Sequence, residues 1–106
     1  MTHLIDPVTL TLDIDGWRPA VQAEPLSPRD WGLAVHQDPW TLFWAGAEAP
    51  HAHWCVSDTV SGRLIAIERT RAGAVCTAVR RLRERASALG LDIPSLLADL
   101  RRPFIH

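Results

Sequence analysis

Three features of this sequence predict an α+β fold, a mostly antiparallel sheet with helices on one face. Short alternating apolar and polar stretches fill the first two-thirds, turn dipeptides separate them, and a 3.6-residue apolar repeat runs through the last third. The expected architecture is about five strands with one long and two short helices, in the order β-β-α-β-β-β-α-α.

Val8, Leu10, Leu12 and Ile14 alternate with Thr9, Thr11 and Asp13, which marks a half-buried strand. Asp15-Gly16 then supplies a two-residue hairpin turn, because glycine accepts the positive φ that the turn demands. The return strand runs from Trp17 to about Ala23, with Pro19 expected to confine it to a sheet edge. Ser27-Pro28-Arg29-Asp30 opens a predicted short helix reaching about His36, with serine as cap and proline in the first turn. Trp40 to Ala45 reads as an aromatic strand, His51 to Asp58 as the next, and Arg63 to Arg69 as its hairpin partner across Val60-Ser61-Gly62.

Thr70 caps the longest predicted helix, Arg71 to Leu89, and Gly90 closes it. Its expected buried stripe is Val75, Ala78, Val79, Leu82, Ala86 and Leu89. A last short helix follows Pro94, from Ser95 to about Arg101, and ends at Pro103.

At 106 residues the chain is sized for a single domain over 1–106 with one core. With 47% hydrophobic and 22% charged residues, its composition is that of a globular protein rather than a disordered one. The net charge of −1 hides a polarity: residues 1–60 carry eight acids and two arginines, residues 61–106 nine arginines and four acids. All the basic residues are arginine, and lysine, asparagine and tyrosine are absent. No apolar run approaches the length of a membrane span, and the first residues lack the basic and apolar regions of a secretory signal. Two cysteines do not make a disulfide framework, so the expected setting is a reducing cytoplasm with both thiols free.

Three groups of residues stand out chemically. His51, His53 and Cys55 would share one strand face, where two imidazoles and a thiolate could hold zinc, with Cys76 or His36 as a fourth ligand. The competing reading has Ala52, Trp54 and Val56 packed inward and the histidines in water, and the expectation is no metal and no cofactor. Arg80, Arg81, Arg83 and Arg85 crowd the long helix, a candidate docking face for an acidic protein or for nucleic acid. Their split between two flanks of the stripe suits a solvated helix equally well. Among five tryptophans, Trp40 and Trp44 read as core, whereas Trp17 and Trp31, with Asp13, Asp15 and Asp30 nearby, read as a protein-binding patch. No paired nucleophile and base, glycine-rich phosphate loop or nucleotide fingerprint is legible, so an enzyme is not expected.

The order from Ser27 to Leu89, α-β-β-β-α, is similar to that of double-stranded-RNA-binding domains, and its later part to the three-strand-plus-helix modules of integrases. The stretch Trp54-Cys55-Val56-Ser57-Asp58-Thr59-Val60-Ser61-Gly62-Arg63-Leu64-Ile65-Ala66, followed by Thr70-Arg71-Ala72, resembles a hairpin-then-helix module of small phage and mobile-element accessory proteins, anti-CRISPR proteins among them. That resemblance covers residues 54–89 and implies a compact inhibitor that blocks a partner's surface, with no catalytic residues to carry over. Immunity proteins of bacterial toxins are similar in size and tryptophan content. The expected function is therefore a non-enzymatic protein-binding inhibitor or accessory factor, with a nucleic-acid-binding module as the alternative.

Overall fold

A computed structural model describes residues 7–39 and 53–104. It is an α+β arrangement in which five antiparallel strands follow one another as neighbours and two helices pack on one face. The strands are β1 (Val8–Thr11), β2 (Ala20–Pro25), β3 (Leu33–Gln37), β4 (Trp54–Asp58) and β5 (Leu64–Glu68); the helices are α1 (Arg71–Leu89) and α2 (Ile93–Arg101).

The first hairpin forms as its turn chemistry dictates. Asp15 and Gly16 both take positive φ, 50° and 92°, and Ile14 and Trp17 exchange backbone hydrogen bonds of 2.9 and 3.0 Å across them. Asp13 Oδ1 accepts from the Gly16 amide at 3.1 Å and braces the turn. Pro19 does not make β2 an edge strand. It stands just before β2, where its carbonyl accepts from the Leu12 amide, and β2 then pairs with β1 on one side and β3 on the other.

The predicted helix from Ser27 to His36 is replaced by a single 3-10 turn, Arg29–Trp31, and by β3. Pro28 begins that turn without a side-chain cap, and Gly32 ends it at φ 68°, donating its amide to the Arg29 carbonyl. Leu33, Ala34, Val35 and His36 are all buried, so this segment is sandwiched on both faces and cannot present the polar side that a surface helix requires. The sheet reaches five strands with β3, a segment expected to be helical, as a member. The aromatic strand expected at 40–45, with Trp40 and Trp44, lies outside the described residues, and the helices number two rather than three among the described residues.

α1 has the predicted bounds and caps. Thr70 Oγ1 accepts from the Gly73 amide at 3.0 Å, and Gly90 closes the helix at φ 68°. Its buried stripe is rotated from the expected one: Ala74, Ala78, Leu82 and Ala86 form an i, i+4 row with Thr77 beside it, Val75 is only partly buried, and Leu89 is exposed. Alanine along this row lets the helix approach the sheet closely, and Thr77 is kept there by donating to Glu68 on β5 at 3.0 Å. α2 begins at Ile93 rather than Ser95, with Asp92 accepting from the Ser95 amide at 2.8 Å. Its Ile93, Leu96 and Leu97 join α1 and the sheet residues Leu33, Val35, Val56 and Ala66 in the main core.

A second apolar cluster, Leu10, Leu12, Ala23 and Ala34, lies on the sheet face turned away from the helices. β1 and β5 are opposite ends of the strand order, yet Leu64 of β5 packs against this cluster. The Asp13 amide also donates to the Gly62 carbonyl at 2.9 Å. The sheet therefore curls until the end of β1 meets the β4–β5 turn. Gly62 sits at that closure with φ 75°, and a Cβ there would lie 2.5 Å from the Thr11 carbonyl oxygen. A bulge in β5 assists the curl: Val56 pairs with Ala66 but Ser57 with Leu64, leaving Ile65 as the extra residue.

Candidate functional site

The closure of the sheet positions a groove of about 430 Å³ between the first hairpin, the β4–β5 turn and α2. Ile14, Leu64, Ile65 and Leu97 supply its apolar lining, and Leu100 stands at its side with 52% of its surface exposed. Asp13 and Asp15 reach it from the hairpin, Asp58, Ser61 and Arg63 from the second turn. Each comes from local chain chemistry: the Asp-Gly turn leaves Asp15 exposed and holds Asp13 against the Gly16 amide, and the i, i+3 spacing of Leu97 and Leu100 points both to one side of α2.

One wall is fixed by a buried ion pair. Arg101, at the end of α2, donates from Nε to Asp58 Oδ1 at 2.8 Å and holds Nη2 within 2.6 Å of the same oxygen. Nη2 also donates to the Trp31 carbonyl and, at 3.4 Å, to that of Gly32. Asp58 Oδ2 accepts from the amide and hydroxyl of Ser61 at 3.1 and 2.8 Å. One carboxylate thus ties α2, the 3-10 turn and the β4–β5 turn together, and its charge is spent internally. Among the described residues that line the groove, Asp13 and Asp15 bring carboxylates from the hairpin and Arg63 a guanidinium from the second turn.

Arg80, Arg81, Arg83 and Arg85 of α1 are all exposed but differ in their surroundings. Arg81 Nη1 donates to the Ile65 carbonyl at 3.0 Å and so covers the bulged edge of β5, a structural use of the side chain. Arg80 and Arg83 line a separate, shallow hollow of about 370 Å³ with Val75, Cys76, Val79 and Glu84, while Arg85 is exposed on the helix. The polarity between the halves of the sequence is partly internal. Arg71 meets Glu24 at 2.6 Å and Arg101 meets Asp58 at 2.6 Å, each joining an acid of the first sixty residues to an arginine beyond them. Trp31 is partly buried against the main core, and neither it nor Trp17 lines the groove that Asp13 and Asp15 share.

Of the candidate metal ligands, His51 lies outside the described residues. Among the described residues no three His, Cys, Asp or Glu side chains come together as a metal site. Cys55 is fully buried on the sheet face away from the helices, whereas Cys76 is exposed on α1, so the two thiols cannot share an ion. Burial, with the negative charge of Asp38, pushes the Cys55 thiol up to about 12. His53 Nδ1 lies 3.8 Å from Asp38 Oδ2.

A polar pair that the sequence does not announce sits beside Cys55. The His36 imidazole donates from Nδ1 to the Gln37 carbonyl at 2.7 Å, which leaves Nε2 to accept from the Ser57 hydroxyl at 2.7 Å. Burial lowers the His36 pKa, offset in part by the Gln37 carbonyl and Asp38. The pair depends on β3 being a strand, because the β3–β4 register sets His36 opposite Cys55 and diagonal to Ser57. The signal is the apolar run Leu33-Ala34-Val35 bounded by Gly32 and Asp38-Pro39.

The chain matches no protein-family model, no curated protein and no solved structure. Among the described residues no helix is long and apolar enough to cross a membrane.

Proposed function

We propose that this chain is a non-enzymatic protein-binding module, an inhibitor or accessory factor that works by covering a partner's surface. The groove beside Leu100 carries this reading. It combines an apolar lining, a half-exposed leucine and two hairpin carboxylates, Asp15 exposed and Asp13 half-buried, the mixture found where one protein seats part of another. A module of this kind needs a rigid frame, and the Arg101–Asp58 pair supplies one at the groove wall. The hairpin-then-helix order from β4 to α1 accords with the anti-CRISPR-like resemblance, which implies blocking rather than catalysis. Ser57 and His36 have the hydrogen-bond direction of a nucleophile and base, but both are fully buried from solvent.

The test is affinity capture from cells of the source organism with the tagged full chain and two variants. A partner retained by Arg80→Glu/Arg83→Glu and lost with Leu100→Asp supports the reading. Capture of nucleic acid that depends on Arg80 and Arg83, and falls steeply with salt, would replace it with the nucleic-acid alternative.

A further inference from the structure

We infer that the groove between the Asp15 hairpin tip and α2 receives a linear protein segment carrying an arginine or lysine beside an apolar side chain. This rests on the reading of the groove as the docking surface and adds the chemistry of its occupant. Three observations converge on it.

The first is charge. Asp58 is neutralised by Arg101 and by the Ser61 amide and hydroxyl, so it offers little to a ligand. Asp13 accepts from the Gly16 amide through Oδ1, and Asp15 is exposed on the turn. Among the described lining residues the hairpin supplies two carboxylates and the second turn one guanidinium, Arg63, so the hairpin side is acidic. A cationic head arriving there finds carboxylates in partial solvent, where complementarity steers encounter and selects partners more than it adds affinity.

The second is the apolar side. Leu97 is buried, Leu100 is 52% exposed, and Ile14 and Leu64 complete a surface continuous with the second apolar cluster. Arginine and lysine stems lie readily along such a surface with their charged ends in water. An adjacent leucine, methionine or aromatic residue of the same segment would cover Leu100.

The third is size. About 430 Å³ is at the small end of ligand pockets and suits a few side chains rather than a folded surface. A segment inserted there presents its basic residue to Asp13 and Asp15 of the hairpin and its apolar one to Leu97 and Leu100 of α2.

The test selects from a phage-displayed library of random dodecapeptides on the immobilised full chain, then measures binding of the selected peptides to the chain and its variants. The expected consensus pairs Arg or Lys with an apolar residue. Asp15→Asn should weaken such peptides several-fold at low salt, and Leu100→Asp should weaken them roughly tenfold or more, the loss expected when an apolar contact is removed. Circular dichroism and Tm of both variants, close to those of the parent chain, exclude unfolding as the cause. Peptides that lose binding with Leu100→Asp but are acidic or uncharged would overturn the inference and leave the docking surface standing. Peptides indifferent to Leu100→Asp and dependent on Arg80 or Arg83 would overturn the docking surface itself. Failure to enrich any peptide would contradict a groove built for a linear segment.

Discussion

Arg101 Nη2 lies 2.6 Å from Asp58 Oδ1, and this one contact joins the end of α2 to the end of β4, with both side chains largely shielded from water. Removing one partner strands the other's charge in a poorly hydrated site. Arg101→Met and Asp58→Ala should each therefore cost about 3 kcal/mol in chemical denaturation, well above the effect of a surface pair. Arg102→Ala, which breaks the exposed pair with Asp99, should cost under about 1 kcal/mol. A double-mutant cycle on Asp58 and Arg101 checks that the large losses share one origin.

The two cysteines should differ sharply in reactivity. Cys76 is exposed on α1, whereas Cys55 is fully buried between β3 and β5 with its thiol pushed up to about 12. An aromatic disulfide reagent at pH 8 should titrate one thiol at once and the second only when denaturant unfolds the chain. Cys76→Ser should abolish the fast phase and leave the slow one.

Acid should destabilise the fold through His36. Its native pKa lies below the ordinary 6.5, so below that pH the unfolded chain binds a proton that the folded chain refuses. The contribution is fully present above about pH 7.5 and is lost as pH falls through 6.5 toward the native pKa, at a slope of up to about 1.4 kcal/mol per pH unit. Urea midpoints measured from pH 8 to 5 should show the decline, and His36→Gln should flatten it.

The curl of the sheet makes two turn glycines unequal. Gly16 has φ 92° with open space where a methyl group would stand, so Gly16→Ala should cost about 1 kcal/mol from backbone strain alone. Gly62 has φ 75°, and a methyl group there would meet the Thr11 carbonyl and Asp13 amide at 2.5 and 2.9 Å. Gly62→Ala should therefore cost at least twice as much, roughly 2–3 kcal/mol, because the turn must also move off β1. Equal losses at the two positions, measured by urea denaturation, would contradict the contact between the ends of the sheet.

Much of this fold is legible in the sequence where short-range chemistry decides. The Asp15-Gly16 turn, the Thr70 and Gly90 caps and the β4–β5 hairpin each depend on residues within a few positions of one another. Legibility fails where long-range pairing decides. Leu33–Gln37 carries no alternating pattern because both its faces are covered, and the cap-like Ser27-Pro28 before it suggests a helix. The groove shows the same division. Asp13 and Asp15 stand out as neighbours of a turn, but Leu97 and Leu100 reach them only through the curl of the sheet and the Arg101 tie, neither of which leaves a local trace. The clustered arginines of α1 fall on two flanks as their spacing predicts, but the bond from Arg81 to the Ile65 carbonyl at the β5 edge depends on packing that no local pattern shows.

Photo-crosslinking from single positions within the producing cell tests the central claim most directly, because it reads which surface a partner touches. With a photoreactive residue at Leu100, the expected result is a discrete protein adduct, lost when Asp13 and Asp15 are replaced by serine and arginine. The same residue at Arg83 should give none. An adduct from position 83 with none from position 100, or one that nuclease removes, would contradict the claim.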